Sequence, residues 1–269
     1  MKKIGLVLCA VFMIFQTYAQ DIYAELKLVV LEGKNIYRTH AASEIGKQVF
    51  SEKYKGKLKA AGNISYLDGS IAKAVFYAAG EKPKVIGTLS FANTIDKESA
   101  TNDFAEREMN ANEMEVYKLK IASEKALTEA ALNAVPNSKF ITVPMVANGK
   151  HKTYVLSQSE KNGVVIFGND YILNFDAKNN FTGKEVLHKN MAAITYDMEA
   201  QSANDKSSSH THVAEKGDMI TPTDIAILYM YEKATAWTHH TFISEAYIYF
   251  WNYATQDIQA IPKAPQKMR

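Results

Sequence analysis

Five of the seven histidines fall between His188 and His240, namely His188, His210, His212, His239 and His240. Their densest piece is His210-Thr211-His212, followed by Thr221-Pro222-Thr223-Asp224. Alternate residues of an extended segment project to one face, so an H-x-H pair offers two imidazoles to one divalent ion. A carboxylate in the first turn of the following helix completes three protein ligands. Three ligands with a fourth position left for water or substrate is the catalytic rather than the structural zinc arrangement. Imidazole and carboxylate also accept iron, manganese or nickel. The plainer alternative is two loop histidines after a serine run, with Asp224 serving only as a capping carboxylate.

The stretch resembles the zinc signature of the JAMM (MPN+) metalloproteases, an H-x-H pair, a short loop, and S-x-x-D opening a helix. Here it reads His210-Thr-His212, eight residues, Thr221-Pro-Thr-Asp224, and the apolar helix 225–231. The hairpin 241–250 is similar to the strand–turn–strand that follows that helix. The resemblance covers about residues 186–253. It implies a zinc ion held by His210, His212 and Asp224, with Thr221 in place of the serine that assists at the oxyanion. It also implies a catalytic glutamate upstream; Glu185 fits by order and spacing, with Glu160 and Glu199 as alternatives. The activity implied is amide or peptide hydrolysis, with a peptide or a cell-wall amide as substrate.

Other residues invite chemistry less strongly. Adjacent residues on a strand face opposite ways, so His239 and His240 do not both serve one metal. His188 reads as a buried histidine bonded to backbone, or as a fourth ligand. Asp170 and Asp176 flank a strand and read as a hairpin edge with Asx turns rather than as an acid–base pair. Ser207–Ser209 lack the G-x-S-x-G setting of a nucleophilic serine. Tyr247, Tyr249, Phe250, Trp251 and Tyr253 supply aromatic character to two faces of a hairpin, one for a core and one free for a peptide or glycan.

These residues sit in a chain of 269 with 47% hydrophobic and 22% charged residues, an ordinary globular composition. Lys2 and Lys3 precede an apolar run, Ile4 to Phe15, and Thr17-Tyr18-Ala19 supplies small residues for cleavage. Residues 1–19 therefore read as a secretory signal, and the 12-residue run falls short of the ~20 needed to span a bilayer. The sole cysteine, Cys9, lies inside that run. Cleavage after Ala19 leaves a chain with no disulfide, thiolate metal site or cysteine nucleophile. It also leaves equal numbers of basic and acidic residues, with no charge reason to bind nucleic acid or an anionic membrane. The expected location is the periplasm of a Gram-negative bacterium, or the medium. A non-catalytic periplasmic binding or envelope-assembly protein is the competing reading.

The elements predicted to position the site form an α+β protein with a helix and hairpin portion, 20–136, and a mostly antiparallel portion, 137–261. Residues 41–61 carry Ile45, Val49, Phe50 and Tyr54 at helical spacing. Asp68-Gly69 predicts a hairpin between 63–67 and 71–77, followed by a strand at 85–91. Residues 97–135, without glycine or proline, predict the longest helix. Short strands at 140–146, 153–157, 164–167 and 171–175, separated by turns at Asn148-Gly149, Asn162-Gly163 and Gly168-Asn169, predict a meander, with 186–188 and 192–196 as further pieces. Residues 201–209 read as a loop, 221–236 as a helix, 241–244 and 247–252 as a hairpin, and 262–269 as a frayed tail.

Overall fold

The computed structural model describes residues 2–196, 207–212 and 219–263, with side chains from Ile22 onward. It is an α+β fold of three helices and 13 strands among the described residues. A single helix, α1 (Lys2–Lys53), runs through the segment read as a leader, through 21–31, and on to Lys53, so the helix expected at 41–61 is the end of a longer one. No described helix is long and apolar enough to cross a membrane. Its buried positions include Leu26, Gly33, Ile36, Ala42, Gly46 and Val49, close to helical spacing. Two glycines let it approach its neighbours. A Cβ on Gly33 would meet Ile225 Cβ at 2.5 Å, and one on Gly46 would meet Ala74 Cβ at 2.8 Å.

The C-terminal half of α1 covers the first sheet, built from β1 (Ala60–Asp68), β2 (Ile71–Ala78), β3 (Lys84–Phe91), β4 (Thr101–Asp103) and β5 (Arg107–Glu108). The Asp68-Gly69 hairpin forms as predicted, with Asp68 opposite Ile71 and Gly69 at φ +59°. The helix expected over 97–135 is corrected to α2 (Ala111–Glu129). Its start is reset by Asn110, whose side chain accepts from the Glu113 N–H while Glu113 accepts from the Asn110 N–H. Glu113 also takes both terminal nitrogens of Arg107 at 2.6 and 2.7 Å. This draws 107–108 onto β3 and away from helix.

The second sheet is an antiparallel meander as predicted, β6 (Ser138–Ala147), β7 (Lys150–Ser159), β8 (Val164–Phe175) and β9 (Phe181–Thr195), paired in that order. The strands expected at 164–167 and 171–175 are corrected to the single β8, with Gly168-Asn169 inside it rather than at a turn. The two pieces expected at 186–188 and 192–196 belong to β9. The third sheet contains β10 (Ser207–Thr211), β11 (His239–Ile243), β12 (Tyr247–Asn252) and β13 (Asp257–Pro262). Ser207–Ser209, expected in a loop, start β10, which pairs parallel to β11; residues 201–206 lie outside the described residues. A parallel pair needs a crossover, supplied by α3 (Pro222–Thr235), one residue inside the predicted bounds at each end. The predicted 241–252 hairpin forms and is extended by β13, and the tail from 264 lies outside the described residues. Leu26 and Ile36 of α1, Phe167 of β8, Ile225 and Leu228 of α3, and Phe242 and Trp251 of the third sheet share one core. The histidines meet at the border of that core.

Candidate metal centre

The site begins with a defect in β8. Gly168 (φ +83°) and Asn169 (φ +49°) take left-handed conformations, and the register to β9 shifts on both sides of Asp170. The surplus residues lie on β9, which bulges against the left-handed pair of β8, a device that re-aims a side chain. A Cβ at Gly168 would lie 2.2 Å from the Asn190 carbonyl oxygen, so only glycine allows this approach of β8 to β9. Asn169 turns inward and is held by the Asn133 carbonyl and the Ser157 hydroxyl, each at 3.0 Å. Asp170 is left opposite His188, with its Oδ1 2.7 Å from His188 Nδ1. Its other oxygen accepts from the Thr223 hydroxyl.

The second side chain comes from the end of β10. His212 follows the strand directly, anchored by its backbone N–H on the Ile243 carbonyl at 2.9 Å. The third comes from the first turn of α3. Thr221 is the N-cap, and its backbone N–H and hydroxyl both donate to Asp224 Oδ2, at 2.8 and 2.9 Å. Pro222 at the first helical position fits the helix start it occupies. The capping carboxylate is thereby pinned with one oxygen at the site.

Three atoms converge there. His188 Nε2 lies 2.7 Å from His212 Nε2, and Asp224 Oδ2 lies 3.0 Å from His212 Nε2 and 3.7 Å from His188 Nε2. His188, His212 and Asp224 are 4%, 4% and 2% exposed, and the group is close enough to bind one metal ion. The donor chemistry fits a cation. With a carboxylate on Nδ1, a neutral His188 carries its proton there and turns a bare Nε2 to the site. His212 Nε2 has one proton at most for two neighbours, and buried His212 Nδ1 has no partner among the described residues. Burial opposes charge on His188, but Asp224 and Asp170 outweigh it and raise its pKa to about 9. Burial likewise opposes charge on Asp224, yet His188 and His212 hold it well below the usual carboxylate range. The pocket favours positive charge.

A cavity of about 70 Å³ opens beside the group, lined by the trio together with Phe167, Gly168, Asn190, Met191, Ala192, His210 and Thr211. His210, expected as a ligand, stands on this wall outside the converging group. Its Nδ1 lies 3.0 Å from His240 Nε2, and His240 Nδ1 lies 2.6 Å from Ser208 Oγ. Phe167 stacks against both rings, with centroids 4.6 Å from His210 and 4.8 Å from His240. His239 and His240 face opposite ways as the strand pattern requires, one exposed and one fully buried. Thr221 is at the site as the cap. Glu185 lies on β9 opposite Ile172, where its charge helps raise the Tyr154 pKa, and it is not among the cavity walls. Glu160 stands at the β7–β8 turn and donates its N–H to the Asn137 carbonyl; Glu199 lies outside the described residues.

Two readings of single residues change. His188 is bonded to a carboxylate rather than to backbone, and it belongs to the converging group. Asp176 does form an Asx turn, accepting from Lys178 and Asn180 N–H groups at 2.8 Å, whereas Asp170 is the His188 partner. The signal that could have found Asp170 is Gly168-Asn169 inside an otherwise β-rich run, which marks a bulge.

His240 yields a pH prediction. Burial, with His210 beside it, lowers its pKa to about 3 from 6.5. The unfolded chain therefore binds a proton below pH 6.5 that the folded chain refuses, and stability is lost as pH falls from 6.5 toward 3. Between pH 6.5 and 4 this amounts to about 3 kcal/mol. Thermal unfolding of chelator-treated protein should show a falling midpoint over that range, and His240→Gln should reduce the slope to the part that His210, also lowered by burial, contributes; an equal slope in the variant removes His240 as a cause.

Compared with known proteins, the chain matches no family model, no curated protein by sequence, and no solved structure by fold.

Proposed function

We propose that the chain is an exported, zinc-dependent hydrolase of amide or peptide bonds, with zinc held by His188, His212 and Asp224. The observation that carries this reading is the convergence of two imidazole nitrogens and one carboxylate oxygen in a buried pocket with a cavity beside it. The parallel β10–α3–β11 unit supports it, because H-x-H ends the strand and T-x-x-D opens the helix, the order of the JAMM-type signature. Zinc in such a site supplies Lewis-acid polarisation of a carbonyl. Asp170 orients His188, and Thr221 fixes Asp224. Among the described residues, His210 is the one basic side chain on the cavity wall outside the trio. Burial lowers its pKa to about 4, so it is neutral near pH 7 and offers an unprotonated ring nitrogen at the cavity wall. Asn190 and Thr211 offer an amide and a hydroxyl on the same wall. A peptide or cell-wall amide is the substrate class.

One observation favours a second reading. The cavity is small and the ligands are almost wholly buried, which suits a metal that ties β9, β10 and α3 together in a non-catalytic envelope protein.

His210→Ala separates these. In the hydrolase reading the variant keeps about one zinc per chain by elemental analysis and loses hydrolysis of peptide and muropeptide amides by about 10²-fold or more. Loss of zinc with His210 would move the ligand set to His210, His212 and Asp224. Zinc retained by both proteins, with no amide cleaved by either, would favour the structural reading. No zinc in the parent protein, even after incubation with it, would end both.

A further inference from the structure

We infer that Asp170 is a positioning residue for the metal, acting through His188 by selecting its ring tautomer, with Thr223 fixing which way Asp170 can answer. The inference rests on the zinc reading above. His188 can present a bare Nε2 only if its remaining proton sits on Nδ1. Asp170 Oδ1 stands 2.7 Å from that nitrogen and, as a carboxylate, can only accept, so it admits the Nδ1–H form alone. The carboxylate is 3% exposed and is brought opposite His188 by the register irregularity at Gly168-Asn169, where β9 advances five residues, from Met191 to Val186, while β8 advances three, from Gly168 to Tyr171. Its second oxygen is committed to Thr223, on the helix that also carries Asp224. The three-part chain Thr223–Asp170–His188 therefore couples the second sheet to α3 without contributing a ligand of its own.

The chain makes a test that separates orientation from bulk stability. In Asp170→Asn the Thr223 hydroxyl keeps the amide oxygen as its acceptor, because its other neighbour, Thr221 Oγ1 at 2.8 Å, is already engaged with Asp224 as donor to Oδ2 and acceptor from the N–H. The amide NH2 is then turned toward His188 Nδ1, which must accept, and the proton moves to Nε2, where it blocks the metal. Removing the Thr223 hydroxyl releases the amide to flip and present its oxygen to Nδ1–H again.

Zinc affinity, measured by competition with a chelator at one pH, should fall about 10–100-fold in Asp170→Asn. It should return to within about threefold of the parent in Asp170→Asn/Thr223→Val, and stay near the parent value in Thr223→Val alone. Thermal unfolding of each zinc-free variant checks that the fold persists. Unchanged affinity in Asp170→Asn overturns the inference. Equal weakness of the single and double variants overturns it too, since lost charge or lost packing then explains the effect. If the parent protein itself fails to bind zinc, the metal reading fails first, and that outcome is distinct from both.

Discussion

Zinc added to chelator-treated protein is expected to raise the thermal unfolding midpoint by about 5–10 °C when free zinc is some hundredfold above its dissociation constant. A ligand bound only by the folded state contributes about 2.7 kcal/mol at that ratio. For a chain of this size each kcal/mol is about 2–4 °C. The three ligands come from three separate elements, β9, the end of β10 and the first turn of α3, so the unfolded chain holds no comparable site. Asp224→Asn should abolish most of the shift. The amide keeps an oxygen for the Thr221 N–H, so the helix cap survives while the anion between His188 and His212 is removed. The metal-free variant should also be less stable than the metal-free parent, because two imidazoles lose the charge that offsets their burial. Calorimetry with and without zinc checks both. A zinc shift of equal size in Asp224→Asn would place the ion elsewhere.

Gly168→Ala is expected to be the most damaging conservative substitution in the site. The residue stands at φ +83°, where a Cβ costs about 1–2 kcal/mol. The added carbon would also fall 2.2 Å from the Asn190 carbonyl oxygen, a backbone atom of β9 that cannot turn aside. The strands must separate at the point where Asp170 faces His188, so loss of stability and loss of zinc binding should come together. The expected cost is about 3 kcal/mol or more, a midpoint lowered by roughly 6 °C or more. Gly149→Ala provides the control, since Gly149 also has positive φ, +71°, with nothing near its Cβ. That variant should lose about 1 kcal/mol and keep zinc affinity unchanged. If both glycines cost the same and both variants bind zinc normally, the close approach at the bulge has no part in the site.

Much of the architecture was legible because its signals are local. Asp68-Gly69 forces a tight turn wherever the chain goes, and the Asn-Gly turns of the meander act in the same way. Thr221 and Asp224 are three residues apart, so their reciprocal cap could be read directly as the start of α3. Helix ends were less legible where a distant partner decided them. Residues 101–108 have the composition of a helix, but β3 offers them backbone hydrogen bonds, and the Arg107–Glu113 pair and the Asn110 cap hold the helix start at 111. Glycines within α1 gave no hint that Gly33 and Gly46 are contact points, because Pro222 and Ile225 of α3 and Ala74 of β2 make them so.

The candidate site divides along the same line. Sequence alone determined that His212 and Asp224 would be near one another, since a strand end and the next helix start separated by a short loop have little freedom. It also determined the mutual exclusion of His239 and His240, which follows from strand alternation. It did not determine which third residue joins His212 and Asp224. H-x-H spacing favours His210, but β10 lies parallel to β11, and His210 turns to His240 and Phe167 while β9 from another sheet brings His188 across. His188 is 24 residues from His212, and Asp170 is 18 residues from His188. Neither spacing carries a period that a strand or helix would impose. Those partners are chosen by how two sheets meet and by one irregularity in the β8–β9 pair, and such long-range pairings leave no local pattern because they depend on the packing of the whole chain.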